Sequence, residues 1–132
     1  AAPGVKLVLA AAEVPVGDYA RQSFDLMNGQ FGADFKGRVI ANIVSNEDNV
    51  KQVVAKVQLG EADAGIVYAS DAVAAPDLQR IAIPDELNII AKYPIAPLIP
   101  TENADLATAF VDYVLSAEGL AVLTKWGFGP PQ

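Results

Sequence analysis

The chain has 132 residues, 52% hydrophobic and 19% charged, with a formal charge of −7; this is globular material of about one domain's length. The acidic balance disfavours nucleic acid and anionic membrane surfaces, whose affinity is carried by Lys and Arg. Neither cysteine nor histidine occurs. That removes disulfides, thiolate chemistry, zinc–sulfur sites, the commonest general base and the commonest transition-metal ligand.

No targeting segment is legible ahead of Val5, which leaves a cytoplasmic chain or one already trimmed. The longest apolar candidate for a bilayer span, "IIAKYPIAPLIP", is interrupted by Lys92 and three prolines and falls short of the roughly 18–20 residues needed. "VKLVLA" (Val5–Ala10) is an apolar run suited to a buried strand. Asp18–Asn28 reads as a helix through Tyr19, Phe24, Leu26 and Met27, stopped by Gly29. "RVIANIV" (Arg38–Val44) is β-branched and reads as a strand. In the "SNEDN" that follows, Ser45 and Asp48 have the spacing of a capping box. Val50, Val53, Val54 and Val57 then form one apolar helical stripe, closed by Gly60. "AGIVYA" (Ala64–Ala69) and "QRIAIP" (Gln79–Pro84) are further strand candidates.

Strands alternating with helices over short connections predict an α/β fold, a parallel or mixed sheet with helices on its faces. After Leu87 the texture changes. "NIIAKYPIAPLIP" is an extended segment whose prolines suit edges and crossings. Ala104–Leu115 reads as an amphipathic helix through Leu106, Phe110, Tyr113 and Val114. Ser116 then caps a second helix, Ala117–Lys125, which "WGFGPP" ends. This apolar pair either covers one sheet face or docks on something else. No internal repeat or low-complexity linker interrupts the chain.

The chemistry points to the strand–helix corner "VPVGDYA" (Val14–Ala20). A helix leaves its first N–H groups unbonded, and its aligned peptide dipoles place about half a positive charge there. Such ends hold oxyanions without a cationic side chain. For one isolated turn, Asp18 or water satisfying those donors is the plainer account. The second helix start, at Asn46–Val50, repeats the arrangement. Tyr68, ending "GIVY", would bring a hydroxyl to the same sheet edge, or serve as a half-buried packing residue. Strand-to-helix loops of a parallel sheet share one edge, where the ligands of open α/β sheets bind. Asp63 with Asp71, or Glu47 with Asp48, could pair for acid–base work, though a solvated acidic surface explains them better. Trp126 and Phe128 could stack a ligand, but a hydrophobic plug is the simpler account. No nucleophile–base pair or metal cluster is legible, so neither an enzyme nor a cofactor is expected.

Four stretches together resemble the molybdate/tungstate-binding proteins, the solute receptors of ABC importers: "VPVGDYA", "NEDNVKQVVAKVQLGEADAGIVYASDAVA", "YPIAPL" and "FVDYVLSAEGLAVLTKWGFGPP". The match runs from about Val5 to Pro131, and "GEADAGIVYASDA" and "LSAEG…GF" are its most specific parts. The resemblance implies a type II periplasmic binding protein with two lobes and a tetrahedral dianion, molybdate or tungstate, in the cleft. It implies that the oxyanion is held by the backbone N–H of Val16, the backbone N–H of Val50 and the hydroxyl of Tyr68, with molybdenum present only as molybdate. Valine stands at position 16 where alanine is more usual; a main-chain donor survives that change.

The resemblance also implies an organisation. Residues 1–87 would be a three-layer α/β/α second lobe. Residues 88–132 would be a crossover strand and helices that complete the first lobe, whose N-terminal part and two ligand serines are absent from this chain. The implied partners are the importer's membrane permease and the missing lobe, and the implied location is periplasmic or extracytoplasmic, with lipid anchoring of the full-length protein one option. Two other roles share these features: the effector-sensing module of a transcription regulator, and a homodimer that swaps the apolar tail.

Overall fold

A computed structural model describes residues 4–131. Leu7–Ala10 forms a strand, β1, whose unbroken apolar sequence is that of a strand covered on both faces. Val8 and Leu9 are fully buried and Ala10 is nearly so. β1 leads into α1 (Pro15–Phe31) and the short α2 (Phe35–Ile40). After these come strand β2 (Ile43–Glu47), helix α3 (Val50–Gln58), the two-residue strand β3 (Ala64–Gly65) and helix α4 (Ala69–Val73). β1 lies in the middle and pairs in parallel with both neighbours, giving the order β2-β1-β3.

Successive residues of a strand point to opposite faces, and β1 sorts its neighbours accordingly. Leu7 and Leu9 pack with Ala20 and Phe24 of α1 and Val39 of α2. Val8 and Ala10 pack with Val50, Val53 and Val57 of α3. Helices therefore cover both faces of the sheet, an α/β/α sandwich. The valine stripe of α3 is the predicted one, and its end is a Schellman motif. Gly60, at φ 73°, sends its N–H to Val57 O (3.1 Å), and Glu61 sends its N–H to Lys56 O (2.9 Å).

Five expectations change in the structure, the first being that only Ala64–Gly65 of the expected strand Ala64–Ala69 is paired, while Ala69 opens α4. α1 runs through Gly29, which stays helical, and ends at Gly32, at φ 101°. The β-branched run expected as a strand from Arg38 is divided, with its first half in α2. There Lys36 N–H bonds to Asn28 Oδ1 (2.9 Å) and the Lys36 ammonium pairs with Asp25 (2.7 Å). Both contacts fasten α2 to α1, and Val39 is buried beneath them. The cap of α3 is Asn49 rather than Ser45, because pairing with β1 carries β2 on through Glu47. Finally, Gln79–Pro84 has no ladder partner among the described residues, and its Ile81 is 83% exposed.

The chain divides into two units, the first ending at Ile90 and the second beginning at Ala91. The second holds α5 (Ala104–Leu115) and α6 (Ala117–Lys125), as predicted. At the joint, Ser116 Oγ accepts from Gly119 N–H (3.2 Å) and donates to Tyr113 O (2.7 Å). No side chain of α5 is buried: Leu106 is 71% and Phe110 61% exposed. No single helix is long and apolar enough to cross a membrane among the described residues.

Because Leu9 is fully enclosed between β1 and the α1–α2 layer, Leu9→Ala should destabilise the first unit by about 2–5 kcal/mol. A lowered urea midpoint, followed by a probe within that unit, checks this.

Candidate functional site

Pro15 takes the first helical position of α1, where its missing N–H costs nothing. The amides of Gly17 and Asp18 turn back to the Val14 carbonyl, at 2.8 and 3.1 Å. Val16, between Pro15 and Gly17, is the remaining donor of that turn, and it makes no hydrogen bond among the described residues. Gly17 is what lets the helix start so close to the strand. A Cβ there would lie 2.1 Å from Ala11 O and 2.4 Å from Ala10 O, inside the space those backbone oxygens occupy. The glycine of the "VPVG" corner is thus a matter of room.

The second turn is built differently. Asn49 caps α3 by accepting Gln52 N–H (3.1 Å), and Gln52 Oε1 accepts Asp48 N–H in return (3.2 Å), a variant of the reciprocal capping box. Val50 is the first residue of α3, and its amide makes no hydrogen bond among the described residues. Tyr68 stands at the N-cap position of α4, three residues beyond β3.

Parallel pairing brings these positions to one edge. Ala10 lies opposite Glu47, Ala11 N–H bonds to Glu47 O (2.8 Å), and Val8 lies opposite Gly65. The chain moves from β1 to β2 on one side, then from β2 to β3 on the other. That reversal is a topological switch point, the place on an open α/β sheet where ligands characteristically bind. Val16, Val50 and Tyr68 all belong to one packed cluster with Val8, Ala10 and Val53. The structure therefore sets the side chains of all three against one core.

The other candidates do not converge. Asp63 precedes β3, at the opposite end of the sheet, where Oδ2 accepts Lys6 N–H (2.7 Å), while Asp71 lies in the first turn of α4. Burial pushes the Asp71 carboxyl up, outweighing hydrogen bonds from the Tyr68 and Asp71 backbone and the charge of Lys51. Glu47 faces inward, its side chain 11% exposed. It accepts a hydrogen bond from the Ser45 hydroxyl and pairs with Lys56 (3.2 Å). The Ser45 bond, with the Lys56 bond and charge behind it, holds the Glu47 carboxyl below the usual glutamate range against the opposing effect of burial. A carboxylate at the strand end is thereby neutralised by its own surroundings. In the second unit, Trp126 is half-exposed and Phe128 meets Tyr93 edge-on at 5.8 Å. No cluster of three or more metal-ligating side chains occurs among the described residues.

Sequence reasoning missed Arg21. One Nη donates to Ala10 O (3.0 Å) and Gly17 O (2.7 Å), and the other to Asn46 Oδ1 (2.7 Å). Its only local signal is an arginine four residues after the crowded glycine, on the same helix face.

A model of the bacterial extracellular solute-binding proteins matches residues 1–129. The molybdate-binding protein ModA of Mycobacterium bovis is 34% identical over 98% of this chain and 46% of its own length. ModA of Escherichia coli is 28% identical over 87% of this chain and 42% of its own. YvgL of Bacillus subtilis, provisionally named an ABC transporter substrate-binding lipoprotein, is 30% identical over 93% and 45%. The chain spans less than half the length of these relatives.

Two measurements test the site's framework. Gly17→Ala should cost about 1–3 kcal/mol or more of stability, as overpacking against fixed backbone does, read as a lowered melting temperature. Glu47, with its depressed folded pKa, stabilises the fold above the unfolded glutamate pKa, and that contribution fades as pH falls through the lower folded value. Glu47→Gln should therefore be less stable at neutral pH and should lose less stability on acidification, seen in urea midpoints compared across pH.

Proposed function

The chain belongs to the bacterial extracellular solute-binding proteins, and from that premise we propose that it is the second ligand-binding lobe of an extracytoplasmic receptor that delivers molybdate or tungstate to an ABC importer. The observation that carries the proposal is the shared cluster of Val16, Val50 and Tyr68 at the switch-point edge. Two first-turn amides and a phenol there form a donor set suited to a tetrahedral dianion. The names of the ModA relatives supply the guest, and that of YvgL supplies the importer and a lipid-anchored form.

The three donors act by position. The Val16 and Val50 amides grip two oxygens of the anion from adjacent turns, and the Tyr68 hydroxyl grips a third. All three are neutral, so discrimination follows the radius of the guest. Molybdate, tungstate and sulfate are all tetrahedral dianions, and molybdate and tungstate are too close in size for such a cage to separate easily. Three charge-assisted hydrogen bonds supply roughly 5–9 kcal/mol, from which association removes about 4 kcal/mol or more. Most of that range leaves binding near millimolar or weaker. On this proposal the second unit completes another lobe, whose donors and water-excluding closure bring the affinity of a working receptor. Binding and release constitute the whole cycle, with no chemical step.

Calorimetric titration of molybdate into a form carrying both lobes tests the proposal. Tyr68→Phe should weaken binding by about tenfold to a hundredfold, the worth of one charge-assisted hydrogen bond. Unchanged affinity would remove Tyr68 from the site.

A further inference from the structure

Arg21 joins the two turns that bear the proposed donor amides. One guanidinium nitrogen bridges Ala10 O at the end of β1 and Gly17 O in the first turn of α1. The other reaches Asn46 Oδ1 on β2, three residues before the Asn49 cap of α3. We propose that Arg21 is a positioning residue for ligand binding: with Asn46 as its counterpart, it fixes the separation between the Val16 and Val50 amides. The proposal rests on the oxyanion reading and adds to it a device outside the donor set.

The chemistry favours arginine for this task. Its planar fork presents several N–H donors in fixed directions, so one group can register three acceptors on three elements. A lysine ammonium keeps the charge but not the fork. The backbone bond from Ala11 N–H to Glu47 O already ties the two strand ends. It leaves the tilt of α1 relative to β2 free, and the Arg21–Asn46 bond restrains that tilt. Arg21 also occupies two carbonyl oxygens at the edge where a dianion would arrive, lowering the negative potential they would otherwise present. A cage of neutral donors selects by spacing, so a small change in spacing is felt directly as affinity.

The test uses the ¹⁵N-labelled 132-residue chain titrated with sodium molybdate, following the Val16 and Val50 amide signals. NMR reports the dissociation constant of the folded population, so affinity is read separately from stability. In the unaltered chain both amides should shift with one common constant. Arg21→Lys and Asn46→Ala should each raise that constant about tenfold, the worth of one such bond, and the double variant should lose little more than Arg21→Lys alone. Asn46→Ala leaves both carbonyl bonds of Arg21 in place, so it remains informative if the arginine variant folds poorly. Lower melting temperatures with unchanged dissociation constants would overturn the positioning role and leave the oxyanion reading standing. Full affinity in Arg21→Lys would show that charge alone suffices, which also overturns it. Absence of any molybdate-induced shift in the unaltered chain, with molybdate raised to about 0.1 M, far above the millimolar constant expected of this lobe, would overturn the oxyanion reading and this role with it.

Discussion

A strand that is paired on both edges and covered on both faces has no freedom left, and β1 is in that position. It pairs with β2 along its length and with β3 at Leu7 and Val8, and its side chains alternate between two helical layers. Because both pairings are parallel, the chain leaves all three strands at the same edge, and the loops that carry Val16, Val50 and Tyr68 open there. An antiparallel partner on either side would have sent one of those loops to the far end of the sheet. The corner after β1 adds a second constraint, since Gly17 lets α1 begin directly against the carbonyls of Ala10 and Ala11.

The electrostatics of that edge do not follow the net charge of the chain. The chain carries a formal charge of −7, yet the carboxylate nearest the end of β2, Glu47, is compensated by Ser45 and Lys56. Most of the remaining acidic groups are solvated, and charges more than about 8–10 Å apart are largely screened at physiological salt. Local amide dipoles then outweigh the net charge. On the proposed function, this is how an acidic protein receives an anion.

Features set by neighbours in sequence were legible before the fold was known. β1 is a short apolar run, Gly60 sits where a helix must stop, and Ser116 caps α6 as expected. The misreadings have one cause. Ser45 and Asn49 are both good cap residues, and only the ladder between β1 and β2 decides which of them lies outside the strand. Val39 and Ile40 favour a strand by shape, but contacts with α1 make that stretch helical. Gln79–Pro84 has the texture of a strand without a neighbour to pair with. The positions of Val16, Val50 and Tyr68 along one edge followed from strand–helix alternation. Their meeting in one cluster required β3 to cross to the far side of β1. Arg21 was invisible because its three acceptors come from segments as far apart in sequence as Ala10 and Asn46.

The bare helices of the second unit bear on what any melting curve of this polypeptide reports. α5 has twelve residues and no enclosed side chain, and a helix of that length is marginal in water when packing adds so little burial. Cooperativity comes from shared burial, and here that lies in the sandwich around Leu9 and Val8. The polypeptide should therefore not be treated as one thermodynamic body. A single unfolding free energy assigned to it describes the sandwich and leaves the α5–α6 arm out of the account.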